Sequence, residues 1–433
     1  MKIAVIGAGI AGLTAALELR RSFRPTVFEA EGRPGGHSNT IDARHGGRDW
    51  PVDTGFIVFN DRTYPGFVRL LAELGVASRP ADMTFSVRHE PDRVEYNGHS
   101  LSHLLTWKRN ALRPGFWRMA RDIIRLGRDT TARLASGGDG LEGSLAEFLR
   151  RGRYSRELCD WYLAPMTSAI WSSSHAAALE TPAIFFARFF ANHGFFDMGE
   201  RPLWRTVVGG SRAYVRAIAQ RLGDDLRTGC PALRVERPAG GGVIVESPAG
   251  SEHFDAAVIA SHSDQALGLL ADPTDDERDV LGSIPYTDNL AILHTDTSLL
   301  PARPKAWAAW NARVGHDSPA DPARVTYNLS ILQGLAPPDG TQFLVTLNPK
   351  PGEIEPGRIL RRINYHHPAF DRASVAAQAR HARVSAGPTF YAGAYWRYGF
   401  HEDGHWSGAR AALQVEAFAR RHAPAARPQE APA

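Results

Sequence analysis

The sequence predicts an α/β protein: a doubly wound, Rossmann-type nucleotide domain interleaved with a second domain of α+β character. Three observations predict it. Lys2-Ile-Ala-Val-Ile6 is an apolar run suited to a strand buried on both faces, and it passes through Gly7-Ala-Gly9-Ile-Ala-Gly12 into an alanine-rich helical stretch, Ile10 to Leu19. A second short strand, Thr26-Val-Phe28, ends in Glu29, seventeen residues after Gly12. The chain has 433 residues, more than one typical domain needs, and so has material for two cores.

Each part of the opening has a physical task. Gly7 permits the tight bend, Gly9 lets the backbone approach a pyrophosphate, and Gly12 lets helix and strand pack closely. The free N–H groups at the helix start favour negative charge, with Ala11 in the first turn and Ala30 beside the acid in the same contact set. The Glu29 carboxylate suits ribose hydroxyls and would repel a 2′-phosphate, which favours FAD or NAD over NADP.

Further along, Glu29-Ala-Glu-Gly-Arg-Pro-Gly35-Gly36-His37 and Val52-Asp53-Thr54-Gly55-Phe56 resemble segments of flavin amine oxidases and phytoene-desaturase-like enzymes. Asp53 to Asn60, Arg205 to Arg212 and Tyr398 to Gly404 together resemble a bacterial family of FAD-dependent, amine-oxidase-like oxidoreductases, similar to the oxidase-like domain fused to plant cyclopropane fatty acid synthases. The resemblance implies FAD as cofactor. It implies that Gly35 and Gly36 pass the pyrophosphate, that Thr54, Gly55 and Phe56 approach the isoalloxazine, and that Ala232 passes the adenine. It also implies that Gly393, His401, Glu402 and Asp403 belong to the closing flavin motif, with Glu402 or Asp403 at the ribityl-facing turn. The family usually has Arg where this chain has His37, and an acid where it has Ala394.

The implied organisation is an FAD-binding domain from 1–75, 200–280 and 385–422, a substrate domain from 76–199 and 281–384, and a disordered Pro- and Ala-rich tail, 423–433. Composition is globular, with 43% hydrophobic and 22% charged residues. A formal charge of +4 is small for this length and gives no reason to expect nucleic acid. Cys159 and Cys230 make neither a disulfide framework nor a metal cluster and read as buried small hydrophobes. No stretch of eighteen apolar residues appears, and the first apolar run is broken by glycines rather than leading to a cleavage site, so the expected location is cytoplasmic.

Taken in order, Tyr64 to Leu74 has helical spacing, and Met83 to Val87 with Arg93 to Tyr96 reads as a hairpin. Residues 101–134 interleave Leu, Trp, Phe and Ile with eight basic side chains, which suits either contact with an anionic membrane or a pair of helices with solvated arginines. Ser144 to Glu147 has capping-box spacing, and Trp171 to His175 and Phe185 to Phe190 are candidates to line an apolar cavity. Tyr214 to Leu222 reads as a helix after Gly209-Gly210. Leu290 to His294, Val325 to Leu332 and Gln342 to Leu347 read as strands.

His401-Glu-Asp-Gly-His405 spells H-E-x-x-H, but Asp-Gly at its centre suits a helix start better than a zinc-binding interior, and no metal is assigned. Amine oxidases often carry a lysine beside flavin N5. The comparable position falls near Ala291, and none of the four lysines, Lys2, Lys108, Lys305 and Lys350, lies on a comparable strand.

Three functional readings follow. The first is an FAD-dependent oxidoreductase taking hydride from an apolar substrate onto flavin N5, desaturating or isomerising a modified or unsaturated fatty acyl chain. The second is an amine oxidase producing hydrogen peroxide. The third is a non-catalytic flavoprotein scaffold. Candidate catalytic residues are Phe400 with Tyr395 or Trp396 as aromatic partners of the flavin, and His401 as proton acceptor. Expected partners are a small-molecule or lipid substrate and, through 101–134, a membrane surface.

Overall fold

Residues 1–98, 107–195, 202–316 and 318–422 are described by the structure, a computed structural model. Lys2–Ile6 is the middle strand of a five-stranded parallel sheet whose spatial order is Leu226–Arg227, Arg24–Phe28, Lys2–Ile6, Ala256–Ile259, Thr389–Tyr391. Counted along the chain, this is the order 3-2-1-4-5 of a doubly wound nucleotide fold. Successive side chains of a strand point to opposite faces, and here both faces are covered. Ile3 and Val5 pack among the helices Ile10–Leu19 and Arg212–Leu222, while Ala4 and Ile6 pack under Val235, Val243, Val245 and Phe254 of an antiparallel three-stranded layer. This explains why the first strand is apolar throughout rather than alternating.

The chain returns to this sheet at its end. The 22-residue helix His401–His422 lies along Ile10–Leu19 through small residues. A side-chain carbon on Gly408 would sit 2.1 Å from the carbonyl oxygen of Ala11, and one on Gly404 would sit 2.6 Å from a methyl of Ile10. The two helices therefore approach backbone to backbone, which Gly permits.

The second sheet has seven strands in the order Ile359–Pro368, Tyr286–His294, Leu344–Leu347, Arg324–Asn328, Trp310–Val314, Phe85–His89, Val94–Asn97. The expected hairpin exists at its edge, its first strand shifted by two residues and its second by one, and the first strand pairs in parallel with Trp310–Val314. The expected strand Val325 to Leu332 ends early: the Asn328 side chain accepts from Ile331 N–H at 3.2 Å and starts a helical turn, Leu329–Leu332. Phenylalanine-rich helices cover the cavity side, Ala183–Asn192 burying Phe185, Phe186, Phe189 and Phe190. The Ser144–Glu147 capping box forms, with Glu147 N–H to Ser144 Oγ at 3.3 Å and Ser144 N–H to Glu147 Oε2 at 3.0 Å.

The basic segment is a short 3₁₀ turn, Lys108–Leu112, and one 22-residue helix, Pro114–Ala135. Residues 101–106 and the tail 423–433 lie outside the described residues. Several of its arginines are anchored to the protein: Arg118 pairs with Glu157, Arg113 donates to Asp92 O at 2.6 Å, and Arg125 lies 3.9 Å over the Tyr154 ring. Leu112, Trp117 and Ile124 remain exposed. No helix among the described residues is long and apolar enough to cross a membrane.

Candidate active site

A cavity of about 800 Å³ runs from the glycine turn to the aromatic helices and the seven-stranded sheet. Its nucleotide end is built by backbone geometry. Gly7 adopts φ +97°, a conformation that side chains resist, and Gly12 faces it so closely that a side-chain carbon would meet the Gly7 carbonyl oxygen at 1.9 Å. Gly9 has open space where a side chain would stand, so bare backbone faces the cavity there. Gly35 donates its N–H to Ala8 O at 2.7 Å, and a side-chain carbon on Gly36 would touch Gly9 Cα at 3.4 Å. Bare backbone at a helix start is the geometry that could hold phosphates.

Glu29 is buried just past its strand. Its two carboxylate oxygens accept from Ala8 N–H at 2.7 Å and Glu31 N–H at 2.8 Å, which fixes the group at the cavity wall. Gly7, Gly9, Ala11, Glu29, Ala30, Gly35, Gly36, His37, Thr54, Gly55, Phe56, Ala232, Gly393, Tyr395, Phe400 and His401 all line the same cavity. Contacts spread over some four hundred residues of sequence are thus brought together.

Four predicted residues are placed elsewhere. Gly12 serves the packing beneath the turn. Glu402 turns away from the cavity and accepts from Gly66 and Phe67 N–H, both at 2.8 Å, capping the helix Pro65–Leu74. Asp403 accepts from Phe400 N–H at 2.9 Å and Tyr398 N–H at 3.2 Å, closing the turn before its own helix, and burial pushes its carboxyl up to about 7. Trp396 follows Tyr395 in a 3₁₀ turn, Ala394–Trp396, where successive side chains diverge by about 120°, and it packs edge-on to His381 at 4.4 Å.

His401 is buried and lies flat against Phe56, with ring centroids 3.6 Å apart and planes 7° apart. Its Nε2 is 2.8 Å from the Tyr214 hydroxyl, which also meets Ser38 Oγ. Burial, then the neighbouring His405, holds the imidazole well below the ordinary histidine range, so it is neutral. Phe400 stacks on Phe189 at 5.0 Å.

Asp53 does not reach the cavity. Its oxygens accept from Ser211 N–H at 2.9 Å, Ser211 Oγ at 2.8 Å, Thr40 Oγ1 at 2.6 Å and Gln333 Nε2 at 3.0 Å. It ties the turn carrying Thr54 and Gly55 to three distant segments, and burial raises its carboxyl to about 6.

Several lining residues escaped the sequence reading. His193 donates from Nδ1 to Phe189 O at 3.0 Å, which leaves Nε2 as an acceptor, and burial lowers it to about 4. Tyr365 and His367 share one face of a strand by two-residue spacing, the one signal that could have found them. His262 and His366 complete the group. Among the described lining residues Glu29 is the one carboxylate, and there is no lysine or arginine. No cluster of three or more His, Cys, Asp or Glu among the described residues is arranged to hold a metal ion.

The family model described as flavin containing amine oxidoreductase matches residues 10–355. A relative from Mycobacterium tuberculosis, AofH, named as a flavin-containing monoamine oxidase, is 30% identical over 288 residues, which are 63% of this chain and 59% of AofH. The chain therefore spans less than two thirds of that relative. Among solved structures, cyclohexylamine oxidase from Brevibacterium oxydans superposes with a TM-score of 0.70 at 16% identity, over 97% of this chain and 99% of that one. A CLA-producing fatty acid isomerase from P. acnes superposes with a TM-score of 0.65 at 16% identity, over 96% and 98%. Identities this low establish a shared fold.

Proposed function

The chain belongs to the flavin-containing amine oxidoreductase family and is an FAD-dependent oxidoreductase, and from that premise we propose that its substrate is an apolar, fatty-acyl-type molecule that it desaturates or isomerises. One observation carries the proposal: beyond the nucleotide end, the described lining residues include Phe85, Met166, Trp171, Phe189, Phe195 and Phe370 and, among them, no carboxylate to receive an ammonium group. Burying a charged amine there without a partner would be costly.

Bound FAD supplies the acceptor for a hydride equivalent. The protein's part is to hold the apolar substrate in a dry cavity and to manage the proton. His193 is suited to that task, since its tautomer is fixed by the Phe189 carbonyl and it stays neutral above about pH 5. Phe400, stacked on Phe189, orders the same wall. The acyl reading draws on the resemblance of Asp53 to Asn60, Arg205 to Arg212 and Tyr398 to Gly404 together to a bacterial family that is similar to the oxidase-like domain of plant cyclopropane fatty acid synthases. Amine oxidation with release of hydrogen peroxide is the second reading, favoured by the relation to AofH.

Anaerobic mixing with unsaturated fatty acids or bacterial phospholipids and, separately, with an amine panel distinguishes them, following flavin absorbance and analysing products. Bleaching by amines alone overturns the acyl reading; a shifted or new double bond supports it.

The same reading gives the exposed Leu112, Trp117 and Ile124, beside Lys108, Arg109 and Arg128, a role in docking to an anionic membrane from which acyl chains are drawn. Flotation with phosphatidylglycerol vesicles, but not phosphatidylcholine vesicles, is the expected result, reduced in Trp117→Glu.

A further inference from the structure

The wall that follows the glycine pair carries more imidazole than the reading above uses. His37 stacks on Tyr365 at 4.8 Å between ring centroids and lies 5.2 Å from His367 and 6.2 Å from His262. His262 stacks on Tyr286 at 4.5 Å and lies 6.2 Å from His366, whose Nδ1 is 2.6 Å from Asp288 at the surface. Tyr365 cannot turn aside, because its hydroxyl is held by Asn39 at 3.0 Å and Thr54 at 2.9 Å, and it thereby fixes His37. Two ring nitrogens in this wall, His37 Nε2 and His367 Nδ1, are buried without a hydrogen-bond partner. Buried polar atoms are rarely left so, and a group that fills the cavity is the natural partner.

We infer that His37, His262 and His367 form an imidazole wall that receives the diphosphate of FAD, and that this chain takes up a proton when the cofactor binds. The inference rests on the FAD reading of the cavity and deepens it. Placement carries it first. His37 directly follows Gly35 and Gly36, whose backbone abuts Gly9 in the phosphate cradle.

The absence of a fixed positive charge carries it second. No lysine or arginine is among the described lining residues, so imidazoles are the basic groups available to a diphosphate there. Arg33 is near but is held by Gly36 O at 3.1 Å and Glu31 at 3.0 Å.

The charges facing the wall are few. His37 feels His367, His262, His401 and Arg33; His262 feels Asp264 and His366; His367 feels His262 and His366. Burial holds all three imidazoles below the ordinary histidine range, and neighbouring imidazoles push the same way, opposed at His262 by Asp264. An opposite charge within about 4–6 Å favours the charged form of a titrating group, so a diphosphate reverses the balance. A protonated imidazole then donates from both nitrogens, which satisfies the orphaned atoms as well.

The test is calorimetric titration of the apoprotein with FAD between pH 6 and 8, in two buffers of different ionisation enthalpy. Uptake of roughly 0.5–1 proton per FAD is expected, with Kd weakening by up to about tenfold per pH unit where one proton is linked. His37→Gln and His367→Gln, made separately, each lower the uptake. ADP-ribose, which carries the diphosphate without the flavin, is expected to reproduce it. FAD binding with no proton uptake overturns the inference alone, as does uptake with FAD but none with ADP-ribose, which would put the protonation at the flavin ring. Unchanged uptake in both variants overturns the assignment to this wall. A chain that binds neither ligand overturns the FAD reading itself, and this inference with it.

Discussion

Glu402 decides between two accounts of the closing motif. The motif resemblance places it beside the cofactor, whereas in the structure it caps another helix. Pro65 opens the helix Pro65–Leu74 without an N–H, and Tyr64 provides no side-chain cap, so the N–H groups of Gly66 and Phe67 depend on the Glu402 carboxylate at 2.8 Å each. Hydrogen bonds to a charged acceptor contribute about 1.5–3 kcal/mol each, and loss of a helix cap costs about 0.5–2 kcal/mol. The carboxylate is half-buried, so water recovers part of the loss, and Glu402→Ala is expected to cost about 2–3 kcal/mol. Glu402→Gln keeps one acceptor and loses the charge at the helix dipole, for about 1 kcal/mol. Urea denaturation of the apoprotein followed by circular dichroism measures both. FAD stoichiometry measured at low denaturant is expected to stay at the wild-type value. An alanine variant within about 0.5 kcal/mol of wild type that nevertheless loses FAD would refute the reasoning and return Glu402 to the cofactor.

Other consequences can be measured directly. Glu29→Ala removes the acceptor at the ribose end and is expected to weaken FAD binding roughly 10- to 150-fold, the equivalent of about 1.5–3 kcal/mol, read from quenching of flavin fluorescence. Gly408→Ala forces a carbon against the Ala11 carbonyl and is expected to destabilise by about 1–3 kcal/mol, with earlier thermal release of FAD. Asp403 has its carboxyl raised to about 7 when folded against an ordinary 3.8, so the folded state holds the proton more tightly. Its stabilising contribution is full below about pH 4 and is lost as pH rises through 7; Asp403→Asn flattens that part of the stability profile. His193→Gln is expected to slow flavin reduction by about 10²–10⁴-fold without changing FAD affinity, and the wild-type rate should not fall with pH until about pH 5.

The sequence by itself determined the nucleotide fold. An apolar strand, three spaced glycines, a helix and an acid lie within thirty residues, and each signal is local: strand period, φ > 0 at Gly7, close packing at Gly12, one carboxylate at a strand end. Tertiary structure alone decided where the longer-range side chains point. Glu402 and Asp403 became helix and turn caps because the nearest orphaned N–H groups, at Gly66, Phe67, Tyr398 and Phe400, lay there rather than in the cavity. Trp396 left the cavity because a 3₁₀ turn rotates it away from its neighbour Tyr395. The histidine wall is assembled from residues 37, 262 and 367, which are far apart in sequence and meet only when two sheets close on one cavity. No periodicity encodes such a meeting, since it depends on which loop ends the packing of distant strands brings together.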